Sequence, residues 1–257
     1  IAYLEEDISQ AIEFAEESRR IAASIDTATK AIDANWLEKI SDVILAIAYG
    51  ETDNYLYALD LLAASEAFWR QQQYPENELL ALNIAGGIYR YHNQADLALQ
   101  KHQQALSIAA QQGDVNDVAT AHAGLARSYR ALDKPVTAIF HYKEAINRIE
   151  SIRDRNISLD PDLQTSLLEQ FVDFGRVRLV DLYREMADLL LSQGRVLEAQ
   201  QVLELLKKQE LQDYTRNQSD RPDLSLNNIE AEIQAEYGSL IAFGQRVSQC
   251  QQENCGD

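Results

Sequence analysis

The sequence predicts an all-α solenoid: a row of antiparallel helix pairs, about forty residues to the repeat, closed by a C-terminal capping or stem helix. Three observations predict it. Ala, Leu, Gln and Glu are abundant, while Gly and Pro number only 10 and 4 among 257 residues, so helix formers dominate and breakers are scarce. The stretch "AGGIYRYHNQADLALQKHQQAL" (85–106) returns when shifted by forty residues either way: Tyr89 has Tyr129 after it and Tyr49 before it, and Ala98 has Ala138 and Ala58. Self-similarity at a period of roughly 20–50 residues marks a repeat architecture. Within each copy the apolar and small residues fall at helical spacing, as Leu82, Ala85, Gly86 and Tyr89 do.

In chain order, a degraded half-copy lies around Ala11 and Ala15 in "DISQAIEFAEESRRIAA". Three copies at constant period follow. In each, a first helix ends near the Tyr and a second is centred on an Ala; in the middle copy the second helix carries Ala98, His102 and Ala105 on one stripe. Gly86 is matched by Ala126 and Ala46, Ala105 by Ala145 and Ser65, and a turn residue recurs as Asp53, Asn93 and Asp133. Small residues in both helices let the backbones approach, and the Tyr ring fills the space beside them. Gly87 costs a helix roughly 1 kcal/mol against Ala, which close packing can offset. A phosphate loop would place its glycines after a strand, with Lys-Ser/Thr following; here they lie inside a helical period.

A fourth copy comes after a longer interval, with Ala187, Leu190, Gly194, Ala199 and Leu206 each sixty-one residues beyond their equivalents in the third. The insertion between them begins at "SIRDRNISLDPDLQTSLLEQF" (151–171). Asp160 before Pro161 reads as a helix start, and nothing in the pattern from there to Ser192 signals a break, so a long first helix is expected, with 151–176 as its extra length. The repeat domain is thus expected over 1–216. A polar loop, "NQSDRPDLSLNN", follows over 217–228. Ile229, Ile233, Leu240 and Ile241 then mark a final helix within 229–257, which would cover an exposed end of the array or act as a stem.

The net charge of −18 makes nucleic acid and anionic lipid poor partners. No apolar run approaches the roughly 18–20 residues of a spanning helix; "VILAIAY" (43–49) is too short. The sequence starts at Ile1 without Met or a secretory signal, which suggests a piece of a longer protein. Both cysteines lie in "CQQENC" (250–255). Their spacing permits a small disulfide-closed loop, suited to an oxidising compartment, or two incidental thiols; zinc would need further ligands. Cytoplasm and periplasm both remain open.

No catalytic residue, metal ligand or cofactor site is assigned. Gly-x-Ser-x-Gly, HExxH and Walker patterns are missing, and the cysteines lack an activating context. Carboxylate pairs in a chain with 41 acids mean solvated faces. His92, His102, His122 and His141 are scattered. His102 and His141 fall on successive second helices and His122 is read as opening a first helix, so some are expected to be neighbours, in packing or solvent contact rather than around a metal.

The pattern small-xx-Tyr followed by Ala-xxx-aromatic-xx-Ala resembles the tetratricopeptide repeat, in a longer forty-residue form, over roughly 36–150 and again 177–210. It departs from that family in lacking the Trp early in each first helix, where Asp42, Leu82, His122 and Tyr183 stand, and the terminal Pro. "LYREMADLLLSQGRVLEAQQVLELLKKQELQDYTR" (182–216) further resembles the last repeat before the caspase-like CHAT domain of bacterial, especially cyanobacterial, TPR–CHAT proteins. That resemblance implies a protein-interaction module, with a peptidase-like domain after Asp257 and partner binding as the trigger that gates it. It also implies that the free face of the first helices lines a concave groove where a peptide lies. Arg90 and Arg130 are repeat-equivalent on that face, with Asn83, Arg127 and Arg184 on nearby turns and Tyr91 offering a ring. This strip would hold an acidic protein or peptide by charge-assisted hydrogen bonds; equally, the arginines would simply neutralise neighbouring acids. The Lys and paired Asn of the chaperone-tail clamp do not recur. Regulation in cis and an oligomerisation scaffold are the other readings.

Overall fold

A computed structural model describes residues 2–24, 34–155, 171–173, 177–212, 225–235 and 237–238. The chain is an all-α array of helix hairpins. Helix α1 (Ala2–Ser24) precedes the pairs α2 (Ala34–Gly50) with α3 (Tyr55–Gln72), α4 (Pro75–Tyr91) with α5 (Ala95–Gln112), and α6 (Val115–Ala131) with α7 (Pro135–Arg155). A fourth pair, α8 (Leu179–Ser192) with α9 (Val196–Gln212), completes the array. Helices α4 and α6 begin forty residues apart, as do α3, α5 and α7, so the sequence period is the structural period. Each helix packs on the next in chain order, and the first helices also adjoin one another, α2 beside α4 and α4 beside α6, forming one row, called the inner wall below.

Helix ends are written in local chemistry. Pro75 and Pro135 stand at the first helical position, where a missing N–H costs nothing. The Asp114 side chain caps α6, accepting from the backbone N–H of Asn116 (2.8 Å) and Asp117 (3.1 Å). Of the expected turn residues, Asn93 and Asp133 take left-handed backbone, at φ 59° and 54°. There Gln94 N–H donates to Tyr89 O (2.8 Å) and Lys134 N–H to Tyr129 O (2.9 Å), the same six-to-one closure forty residues apart. Asp53 is not among the left-handed residues; Tyr49 O instead accepts from the Thr52 backbone and hydroxyl. Loops this short force antiparallel neighbours.

The core runs along the array in two apolar clusters. One joins α1 to α4 through Ala15, Leu45, Leu62, Trp69 and Ile88; the other runs from α4 to α9 through Leu82, Leu125, Ile146, Met186 and Val202. Burying one Leu or Ile fully stabilises by about 1.5–3 kcal/mol, which outweighs the roughly 1 kcal/mol cost of a glycine inside a helix. Gly86 shows why that cost is tolerated: a methyl group there would lie 2.6 Å from the buried His102 ring of α5. Gly124 of α6 meets the same ring from the other side, where a methyl would come within 2.5 Å of its Cε1 atom.

The long helix expected from Asp160 to Ser192 does not form. Phe171–Asp173 (β1) and Val177–Arg178 (β2) pair antiparallel, with Phe171 opposite Arg178 and Asp173 opposite Val177, and α8 begins only at Leu179. The reason is in "FVDFGRVR": β-branched and aromatic residues on either side of Gly175 favour strands over helix. The helix start expected at Asp160–Pro161, the Leu240–Ile241 end of the last helix and the Cys250–Cys255 loop lie outside the described residues.

A further helix, α10 (228–235), is present, but its seat differs from the apolar stripe expected. Ile229 is 57% exposed, whereas Glu230 is fully buried. Asn227 and Glu230 form a reciprocal cap: Glu230 N–H donates to Asn227 Oδ1 (2.9 Å) and Asn227 N–H to Glu230 Oε2 (2.8 Å). Glu230 then meets Lys143 Nζ of α7 (2.9 Å) and Arg195 at the head of α9 (2.8 Å), and both cations also bind Glu198. The carboxylate goes inward because two cations and a backbone N–H await it there. Among the described residues no helix is long and apolar enough to cross a membrane.

Candidate functional site

The inner wall is made by neighbouring turns of the first helices, and its columns are read by adding forty: Val43, Asn83 and Ala123 share one level, Ile47, Gly87 and Arg127 the next, then Gly50, Arg90 and Arg130; of these only Ile47 and Arg130 are exposed and Arg90 half-buried. Close packing of α4 and α6 brings these columns side by side. The six residues expected to hold a partner all sit on first helices or at their ends, but in different states.

Arg127 is buried, and its Nε–H donates to Glu185 Oε2 of α8 at 2.8 Å. The same carboxylate oxygen accepts from the Tyr142 hydroxyl of α7 (2.9 Å), and burial together with Glu185 pushes that phenol up. Arg127 thus bridges the third and fourth hairpins. Arg184 is half-exposed and lies 3.5 Å from Asp181 one turn earlier. Asn83 is buried, and its Oδ1 accepts no hydrogen bond from the described residues. Arg130 and Tyr91 are exposed and Arg90 is half-buried. The strip is therefore not a continuous row of open cations: its accessible part is the C-terminal edge of α4 and α6 with Arg184 apart on α8, and two of its arginines, Arg127 and Arg184, have acidic neighbours.

Tyr91 is held edge-on against His92 at 5.2 Å between ring centroids. His92 in turn stacks on Tyr55 at 3.7 Å and lies 2.7 Å from Gly50 O through Nε2, while Gln94 donates to the Tyr55 hydroxyl at 3.2 Å. The turn of one hairpin is thereby stacked on the turn of the one before, which fixes the spacing of the wall's edge.

Two expected neighbours are found behind the wall. His122 lies in the middle of α6, not at its opening, because Asp114 starts that helix earlier. Its Nδ1 is 2.8 Å from Nδ1 of His141, so one ring donates and the other accepts. His141 stacks on Tyr129, and Tyr237, just after α10, meets it edge-on at 4.5 Å while sharing a short hydrogen bond with the Tyr129 hydroxyl. Burial, and then Arg148, lowers His141 to about 3; burial, His141 and Arg148 hold His122 well below its ordinary range. Both rings are neutral packing groups at pH 7. Among the described residues no group of three or more His, Cys, Asp or Glu is placed to hold a metal ion.

Sequence reading missed Glu185, Lys143, Arg195 and Glu230. Only the last had a signal, Asn-x-x-Glu at a helix start; the others gain meaning from partners far away in the chain. No protein-family model and no curated protein matches the chain. Among solved structures it is similar to the crystal structure of BtubC (BKLC) from P. vanneervenii, at 18% identity and a TM-score of 0.47, covering 86% of this chain and 97% of that one.

Proposed function

We propose that this chain is a non-catalytic protein-interaction module of the tetratricopeptide type, which takes a peptide or protein partner on its inner wall. The observation that carries the reading is the wall itself: first helices set side by side at constant forty-residue register, with Arg130 and Tyr91 exposed and Arg90 half-exposed along one edge. A rigid repeat surface of this kind recognises extended partners along its length. An acidic peptide is the chemistry that edge suits. At physiological salt the repulsion from a molecule of charge −18 is screened beyond about 8 Å, leaving the local guanidinium contacts to decide.

Titration calorimetry with a glutamate-rich peptide tests this. The wild-type chain is expected to bind, and Arg90→Glu combined with Arg130→Glu to abolish binding; equal affinity in both ends the acidic-partner reading. The likeness of 182–216 to the segment before a CHAT domain makes the sensor part of a caspase-like protein the setting we propose, with the partner acting in trans. Capture of a separate CHAT domain alone from native extract would turn the reading to regulation in cis, and a concentration-dependent mass in light scattering to an oligomerisation scaffold.

A further inference from the structure

The centre of the inner wall already has an occupant. Strand β1 packs against both α6 and α4, although it belongs to the segment between α7 and α8 and is separated from α4 by eighty residues of chain. Along one column of that wall, Ile47 on α2 is 47% exposed and Gly87 on α4 is buried, while Arg127 on α6 is buried against Glu185 of α8. Asn83, one turn earlier on α4, is buried as well, and its Oδ1 atom has no donor among the described residues.

We infer that the paired strands β1 and β2 are an intramolecular competitor for the partner site: β1 lies on the α4–α6 stretch of the wall, and a partner reaching that stretch must displace it. This rests on the function proposed above and names the occupant of that same surface. Two physical arguments support it. A two-stranded hairpin this short is marginal alone in water, so its order comes from the helices it lies on. It is tethered at both ends, which gives it an effective concentration in the millimolar range and lets weak contacts suffice. Engagement would proceed in order: the exposed edge at Tyr91 and Arg130 first, the covered centre afterwards.

The test uses the hairpin as its own probe. A labelled synthetic peptide, QFVDFGRVR (170–178), is titrated against the unaltered chain and against a variant with 171–178 replaced by Gly and Ser at equal length. The vacated variant is expected to bind at least tenfold more tightly than wild type. Equal binding, or none by a variant that keeps its helical circular dichroism, overturns the inference. Should that variant fail to fold, amide exchange on the unaltered chain decides. Protection of 171–173 and 177–178 approaching that of α4 and α6 is expected, and exchange at free-peptide rates overturns it. Loss of the peptide difference would sink the competitor while leaving the Arg90 and Arg130 result intact; failure of the glutamate-rich peptide would do the reverse.

Discussion

His102 occupies the position where the repeat pattern calls for a ring, and its imidazole is pressed between two glycine backbones, Gly86 within its own hairpin and Gly124 of the next. Adding a methyl at Gly124 forces that ring to move, and overpacking of a filled core costs about 1–3 kcal/mol. Gly124→Ala is therefore expected to lower the thermal midpoint, and adding His102→Ala should recover part of the loss by opening space. An unchanged midpoint in Gly124→Ala would show that the ring is not confined. The sequence made one side of this legible. Gly86 recurs as Ala126 and Ala46, so a close approach could be inferred there; Gly124 has no small-residue echo, because Ile84 and Ile44 stand at its equivalents. A period reports what a position does inside a repeat, not what touches it from the next.

At the scale of elements, the described helices α1–α7 and α9 were readable because turn chemistry and apolar spacing agree, whereas the start of α8 and the segments between and after the repeats were not. The strand pair sits where the sequence carries no break in the helix pattern, and α10 turns a carboxylate inward. Lys143 is the hinge of that second surprise: its Nζ lies 2.8 Å from Glu198, 2.9 Å from Glu230 and 2.9 Å from Ser225 O. Removing one member of a buried ion pair costs about 3–5 kcal/mol, since the other charge stays buried without its partner. Arg195 remains on Glu230, so Lys143→Met should fall toward the lower end, near about 3 kcal/mol by urea denaturation, with faster amide exchange in 228–235 than in α4. A variant as stable and as protected as wild type would mean that α10 is held by something else.

The whole molecule should be acid-sensitive in two stages. His141 titrates near 3 in the folded chain against an ordinary 6.5. The unfolded chain therefore binds the extra proton first, and stability present above pH 6.5 is lost progressively as pH falls toward 3. Glu198 follows. Hydrogen bonds from Arg195, set against burial and joined by Lys143, lower it from 4.5 to about 2, so its contribution is present above pH 4.5 and lost below. The urea midpoint should hold steady from pH 8 to about 6.5 and then decline. Replacing both His122 and His141 by Gln should flatten the limb between 6.5 and 4.5; an unchanged slope would assign it to other groups. The fold class was legible because period, composition and spacing all reported one architecture. The state of the candidate site was not. Whether Arg127 meets a partner or Glu185, fifty-eight residues away, depends on how the fourth hairpin returns beside the third.

Helix α4 lends Leu82 to one apolar cluster and Ile88 to the other. A gene cut on either side of it would strand half of its surface against water, so the four hairpins are not interchangeable bricks. The array is spliced at its second unit, and shortening it from the front removes what the back leans on.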